Sequence, residues 1–409
     1  MDIAPTAVDS PAAPYSEAFV RDPYPTYAWF REHAPVAQVR NPNTSTEVWW
    51  VTRHADVKRI LVNPKLFSSD PRHANAATAQ ASLPFFDKSE LILGGVAFAE
   101  PPLHTHRRKL IGKTFSPRRV DAMRQTVEQV TTELLTEMAD RGGRADLMEA
   151  FAKPLPVRVM AGQLGVPASD HQYFCRWMEL MISNDPDEFA QAPGAVGDMV
   201  GYLSQLVAAK RARPGDDLIS DFTIAGDGGN GFTEVEILAI AFALLVAGYE
   251  TSSNLVCNGT LALLEHPAQL AKLRGQPALI GPAVEEMKRY DGPSTSVVWR
   301  FPTEDVEVAG VAIPSGDPVL PLISAANRDP AAFADPQGFD IERTDLDHVS
   351  FGYGPHFCVG AALGRLEGSI ALPALLARFP NLSLDAPRNE LRFRGAFMTR
   401  GLFGLPVRW

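Results

Sequence analysis

The sequence predicts a mainly α protein with small β-sheets. Three observations carry that prediction. Residues 233–265 form one long apolar helical pattern, opened by Thr233 and Glu236 at capping-box spacing and stopped by His266-Pro267. Residues 120–140 and 359–379 repeat apolar side chains at helical spacing. β-Prone residues, by contrast, come only in short runs.

Taken in order, the chain begins with a Pro-, Ala- and Ser-rich stretch, expected to be a loose tail over residues 1–20. A single domain over 21–409, a large helical part with a small β-rich part, is expected to follow. Residues 47–52 (EVWWVT) read as a strand and 55–62 (ADVKRILV) as a helix. Residues 71–99 are irregular, and a loop that long is usually functional. The long helical pattern, about 33 residues at ~1.5 Å each, would span roughly 50 Å and be buried. A helix over 279–290 stops at Asp291-Gly-Pro293. Short strands are expected at 296–301, 306–308, 311–313 and 318–321, and Pro- and Asp-rich coil over 327–347. Pro373 is expected to kink or shorten the last helix.

Composition narrows the function. The 409 residues are 45% hydrophobic, enough for a large core, and 38 basic against 48 acidic residues give a net charge of −10. That balance argues against general nucleic-acid binding. The three cysteines, Cys175, Cys257 and Cys358, fit no metal or redox spacing, which suits a reducing cytoplasm. Residues 1–15 lack the basic start and apolar run of a signal peptide. The longest uncharged apolar run, 237–248, is shorter than the ~20 residues of a membrane span. A soluble cytoplasmic protein without a membrane partner is expected.

The chemistry concentrates in Phe351-Gly-Tyr-Gly-Pro-His-Phe-Cys358-Val-Gly360. A lone cysteine is usually a buried apolar residue. Here it sits in a glycine-rich loop just before a helix, a setting in which a thiolate can ligate haem iron. Gly352, Gly354 and Gly360 permit a sharp turn whose N–H groups face the sulfur, and Phe351 can shield it. Cys175 and Cys257 have no such setting and are read as structural.

This loop resembles the FGxGxHxCxG haem-binding loop of the cytochrome P450 family, with no departure. The resemblance spans nearly the whole chain. Glu100-Pro-Pro-Leu-His104-Thr-His-Arg-Arg108 is similar to the family's PPxHxxxR segment. Ala247-Gly-Tyr-Glu-Thr251 is similar to its AGxET segment, and Glu286-Met-Lys-Arg289 to its ExxR. Asn327-Arg-Asp-Pro330 and residues 339–343 resemble the coil before the haem loop. The implied fold is the cytochrome P450 fold, a triangular helical prism with a long central helix over the haem.

The resemblance assigns roles. Cys358 is the iron ligand. Glu286 and Arg289, three apart on a helix, alone read as an exposed pair of little worth. In the family's pattern they are buried, joined by Arg343, and support the cysteine loop. His104, Arg108, Arg300 and His356 fall where the family places haem-propionate partners, with His348 a further candidate. Ala247 and Gly248 are expected to interrupt the long helix beside the haem, and Glu250 and Thr251 to deliver protons. His33, His54, His73, His171 and His266 lack such context and are read as structural. Residues 101–120 hold Arg107, Arg108, Lys109, Lys113, Arg118 and Arg119 and no acid. This run is either a solvated face or a docking patch for an acidic electron donor, a ferredoxin near Arg107, Lys109 and Lys113.

The expected activity is a bacterial-type haem-thiolate monooxygenase that uses O2 to hydroxylate or epoxidise a mostly apolar organic molecule in secondary or catabolic metabolism. Haem b is the implied cofactor, with electrons ultimately from NAD(P)H through a redox partner. A monomer is expected. Two alternatives share most of the motifs: an oxidative coupling, desaturating or peroxide-using oxidase of the same fold, and a haem protein that only binds a ligand. Residues 76–98, among them Phe98, together with Phe242, Ala243, Val297, Val298, Phe397 and Met398, are the expected substrate-pocket residues.

Overall fold

The computed structural model describes residues 12–41, 46–81, 96–182, 186–227, 232–394 and 398–409. It divides into two compact units. The first comprises Met1–Asp87, Cys257–Ala361 and Leu384–Leu405, and the second Lys88–Val256, Ala362–Ser383 and Pro406–Trp409.

The first unit is built on a three-stranded sheet. Val36–Arg40 pairs antiparallel with Glu47–Val51, which pairs in parallel with Val319–Pro321. One face packs around Trp50, ringed by Tyr15, Phe19, Tyr27 and Phe30 at centroid distances of 5.6, 5.7, 5.9 and 5.5 Å. The loose tail expected over 1–20 therefore gives way to packed structure: residues 1–11 lie outside the described residues, but Glu17–Arg21 is helical. Phe19 inside that helix is buried, because a large apolar ring gains more against Trp50 than the segment loses in ordering. On another core, Val51, Val57, Ile60, Phe67, Val319 and Ile323 enclose Val349, two residues before the cysteine loop. The strands expected at Val306–Val308 and Val311–Ile313 are present and pair antiparallel as a hairpin, turning through Ala309 and Gly310 at positive φ.

The second unit is helical. Leu103–Thr114, Pro117–Ala122, Arg124–Ala139, Pro154–Gln163, His171–Ile182, Ala192–Ala212 and Leu218–Asp227 precede the long helix Glu234–Glu265. The pattern at 120–140 is thus two helices, divided at Met123. The long helix opens with the expected capping box: Thr233 N–H donates to Glu236 Oε2 at 2.9 Å, and Glu236 N–H to Thr233 Oγ1 at 3.3 Å. It is long and apolar enough to cross a membrane by length and composition, yet residues 252–263 are all buried in protein, as in a core helix. The expected interruption at Ala247-Gly248 is absent: the helix is continuous over 32 residues. A single glycine costs a helix only about 1 kcal/mol, which the surrounding turns offset. Ala361–Arg378 likewise runs through Pro373 without ending.

Candidate active site

Cys358 is exposed, unlike buried Cys257 and half-buried Cys175, whose thiol burial pushes up to about 11. Backbone geometry presents it. Gly352 and Gly354 hold φ of +72° and +74°, a region that favours glycine. A Cβ at Gly354 would fall 2.7 Å from Leu61 O, so this turn closes on the end of the helix His54–Leu61 only without a side chain. Gly352 N–H donates to Val349 O and Cys358 N–H to Phe351 O, both at 2.8 Å. Lys288 Nζ lies 4.2 Å from the Phe351 ring centroid and fixes that ring through its positive charge.

Behind the loop lies a buried ionic cluster. Glu286, Arg289 and Arg343 meet with side-chain exposures of 0, 0 and 6%. Arg289 Nε and Nη2 donate to Glu286 at 2.6 and 2.8 Å, and Arg343 Nε donates at 3.1 Å. Most of the remaining guanidinium N–H groups reach backbone carbonyls: Arg289 donates to Asn327, Pro336 and Gly338, and Arg343 to Ala334 and Asp335, while Arg343 Nη1 also donates to Asp345 Oδ1 at 3.2 Å. The coil from 327 to 345 is therefore pinned at several points to the helix Ile280–Asp291. That helix stops at Gly292, where a Cβ would collide with Lys288 O.

Asn327 completes the link to the loop, a role its place in Asn327-Arg-Asp-Pro330 did not disclose. Its Oδ1 accepts Val349 N–H at 2.8 Å and its Nδ2 donates to Ser350 Oγ at 2.8 Å. Ser350 Oγ in turn donates to Lys288 O at 2.8 Å. These partners are more than twenty residues apart in sequence, so spacing gives no signal of them.

On the long helix, Thr251 Oγ1 donates to Ala247 O at 2.7 Å, the back-bond that a helical threonine makes one turn earlier. Ala247 is exposed; Phe242, Ala243, Glu250 and Thr251 are half-buried. A Cβ added at Gly248 would meet nothing within 4 Å. The neighbouring Ser252 Oγ donates to Glu367 Oε2 at 2.5 Å. Glu367 is 3% exposed, and burial pushes its carboxyl up to about 7 against the pull of the Ser252 hydroxyl. Sequence reasoning missed it, although an acid in the buried stripe Leu363, Glu367, Ala371 was a legible anomaly.

The basic candidates separate. Arg300 is buried, its Nη1 donating to Val298 O at 3.0 Å and Trp299 O at 3.1 Å. His356 is half-buried within the loop. In the second unit His104 is buried and Arg108 half-buried on the helix Leu103–Thr114. His348 needs correction as a propionate candidate: its Nε2 meets Glu285 Oε2 at 3.1 Å and its Nδ1 accepts Ser350 N–H at 3.3 Å, so both ring nitrogens are engaged. Arg107 needs correction as a docking residue: it is 7% exposed, and its Nε and Nη2 donate to Glu236 at 3.1 and 3.0 Å. It shares a buried helix face with His104 and Ile111, one that a count of basic residues does not resolve. Lys109 is exposed; the side chain of Lys113 lies outside those described. Among the pocket candidates Val297, Val298 and Phe98 are half-buried and Met398 exposed, and Phe397 lies outside the described residues.

The donor set suits haem. Within the first unit it contains an exposed thiol in a glycine-shaped loop, with Arg300 and His356 as basic side chains of the kind that carboxylates need.

Known proteins agree. The sequence profile of the Cytochrome P450 family matches residues 279–402, which hold the ionic cluster and the cysteine loop. The chain is 43% identical to "Cytochrome P450 monooxygenase PikC" of Streptomyces venezuelae, over 96% of this chain and 92% of that protein. It is 40% identical to "6-deoxyerythronolide B hydroxylase" of Saccharopolyspora erythraea, over 96% and 97%. Among solved structures, "The cytochrome P450 enzyme CxnD for C-S bond formation in chuangxinmycin biosynthesis" superposes with a TM-score of 0.84 at 34% identity, over 95% of this chain and 94% of that one. With relatives this similar along nearly its whole length, the chain belongs to the cytochrome P450 family and is a P450 monooxygenase.

Proposed function

We propose that this monooxygenase hydroxylates or epoxidises a mostly apolar, macrolactone-like product of bacterial secondary metabolism. The observation that carries this reading is the 40% identity, end to end, with a protein named as a 6-deoxyerythronolide B hydroxylase. The half-buried Val297, Val298, Phe98, Phe242 and Ala243 suit an apolar ligand. We read residues 12–409 as one catalytic domain of a cytoplasmic monomer.

Haem b, when bound, supplies the activation of O2. Cys358 would hold its iron through the thiolate, and Phe351, braced by Lys288, would shield the sulfur. His104, Arg108, Arg300 and His356 would hold the propionates. Glu286, Arg289 and Arg343 keep the coil in register and so set the height of the loop; removing one leaves a buried charge unmatched, at about 3–5 kcal/mol. Thr251 spends its own proton on Ala247 O, so its lone pairs are presented to a proton-bearing water. Glu250, one residue away, would recharge that water from solvent, and rotation of the Thr251 hydroxyl would pass the proton on. Electrons would come ultimately from NAD(P)H through a ferredoxin docking near Lys109.

Turnover under labelled O2 with 6-deoxyerythronolide B and related macrolactones tests the reaction: one labelled oxygen in the product is expected. A second reading is oxidative bond formation, favoured by the 34% identity to a protein named for C–S bond formation. It would show as a coupled product without label.

A further inference from the structure

The helix Ala76–Ala81 is tied down at its start by a clasp that none of the machinery above uses. Asn75 caps it: Oδ1 accepts Thr78 N–H at 2.8 Å, and the backbone carbonyl accepts Ala79 N–H at 2.9 Å. Asn75 Nδ2 donates to Asp317 Oδ1 at 2.7 Å. The other Asp317 oxygen accepts Trp49 Nε1–H at 2.9 Å, so the carboxylate is held from two sides. Asn75 N–H donates to Gly316 O at 2.9 Å. Gly316 has φ +80°, and a Cβ there would lie 2.9 Å from Asn75 N and 3.0 Å from His73 O. The backbone at 316 therefore closes on 73–75 only as glycine. Two residues beyond Asp317, Val319 exchanges both backbone hydrogen bonds with Arg300, at 2.9 and 2.8 Å. One side-chain pair thus joins the start of this helix to the segment leading into Val319, whose bridge partner Arg300 follows Val297 and Val298.

We propose that Asn75 and Asp317 are specificity-determining positioning residues, whose hydrogen bond sets where the helix Ala76–Ala81 begins and so the fit of a bulky ligand. The inference rests on the reading above that residues 76–98 border the substrate space. The pair is polar and directional: an amide donates and a carboxylate accepts. Exchanging the two residues keeps that complementarity. With Asn75→Asp and Asp317→Asn together, the new carboxylate at position 75 caps Thr78 and accepts from the new amide at position 317. The amide oxygen at position 317 still accepts from Trp49. Asn75→Asp alone sets two carboxylates face to face.

The test uses the haem-loaded enzyme and two azole probes, imidazole and the bulkier 4-phenylimidazole, titrated optically, with hydrogen exchange of residues 76–81 measured alongside. Asn75→Asp is expected to speed exchange in 76–81 and weaken 4-phenylimidazole about tenfold, while imidazole stays within about twofold. The exchanged pair, Asn75→Asp with Asp317→Asn, should restore both readouts. Unchanged exchange in Asn75→Asp would overturn the clasp itself. Faster exchange with unchanged 4-phenylimidazole binding would overturn the proposal through its premise, that this helix borders the ligand. Equal weakening of both azoles, or failure of the exchanged pair to restore binding, would show a general lesion and overturn it as well.

Discussion

Glu286 and Arg289 share two hydrogen bonds, at 2.6 and 2.8 Å, with neither side chain exposed to any solvent. The spacing is that of an ordinary helix pair; the energetics are not. Glu286 also accepts the N–H of Asp340 at 2.9 Å, so one carboxylate organises a helix and the coil beyond it.

Loss of either partner should therefore unfold the loop support rather than trim a surface contact. Arg289→Ala is expected to cost about 3–5 kcal/mol, because a buried carboxylate keeps only one cation. Urea unfolding checks the magnitude, and haem content after purification should fall in parallel.

Glu367 predicts a pH dependence. Its folded-state pKa, about 7, lies above its ordinary value of 4.5. The native state thus binds the proton more tightly, so this stabilisation is present in full below about pH 4.5 and is lost as pH rises through 7. The swing is roughly 3–4 kcal/mol at most, from about 1.4 kcal/mol per pKa unit. Glu367→Gln should flatten the stability profile between those limits in denaturation at stepped pH. An unchanged slope would show that Glu367 does not titrate there.

Thr251→Ala should leave substrate binding intact and divert electrons to peroxide, lowering product per NAD(P)H about tenfold or more. Peroxide assayed against product measures this, and unchanged coupling would remove Thr251 from proton delivery.

Lys109→Glu should slow reduction by a ferredoxin about tenfold at low salt, with the gap closing as salt rises. Arg107→Ala, by contrast, should act on stability, since Arg107 faces Glu236. Stopped-flow reduction across ionic strengths separates the two.

Much of this was legible from local rules. The strands at 306–308 and 311–313 and the capping box at Thr233 each rest on residues close in sequence. What escaped was direction. Arg107, Arg108 and Lys109 are consecutive and point three ways around a helix, so only the buried set His104, Arg107, Ile111 reveals which cation turns inward. His348 and Asn327 were misjudged or overlooked because their partners, Glu285 and Ser350, are brought near only by the fold. Trp50 drew residues 12–20 into the core for the same reason.

The central claim is that Cys358 ligates haem iron as a thiolate. The optical spectrum of the reduced, CO-bound protein tests it most directly. A strongly red-shifted Soret band is expected, and Cys358→His should abolish that shift while haem is retained. An ordinary Soret band in the intact, folded protein would contradict the account.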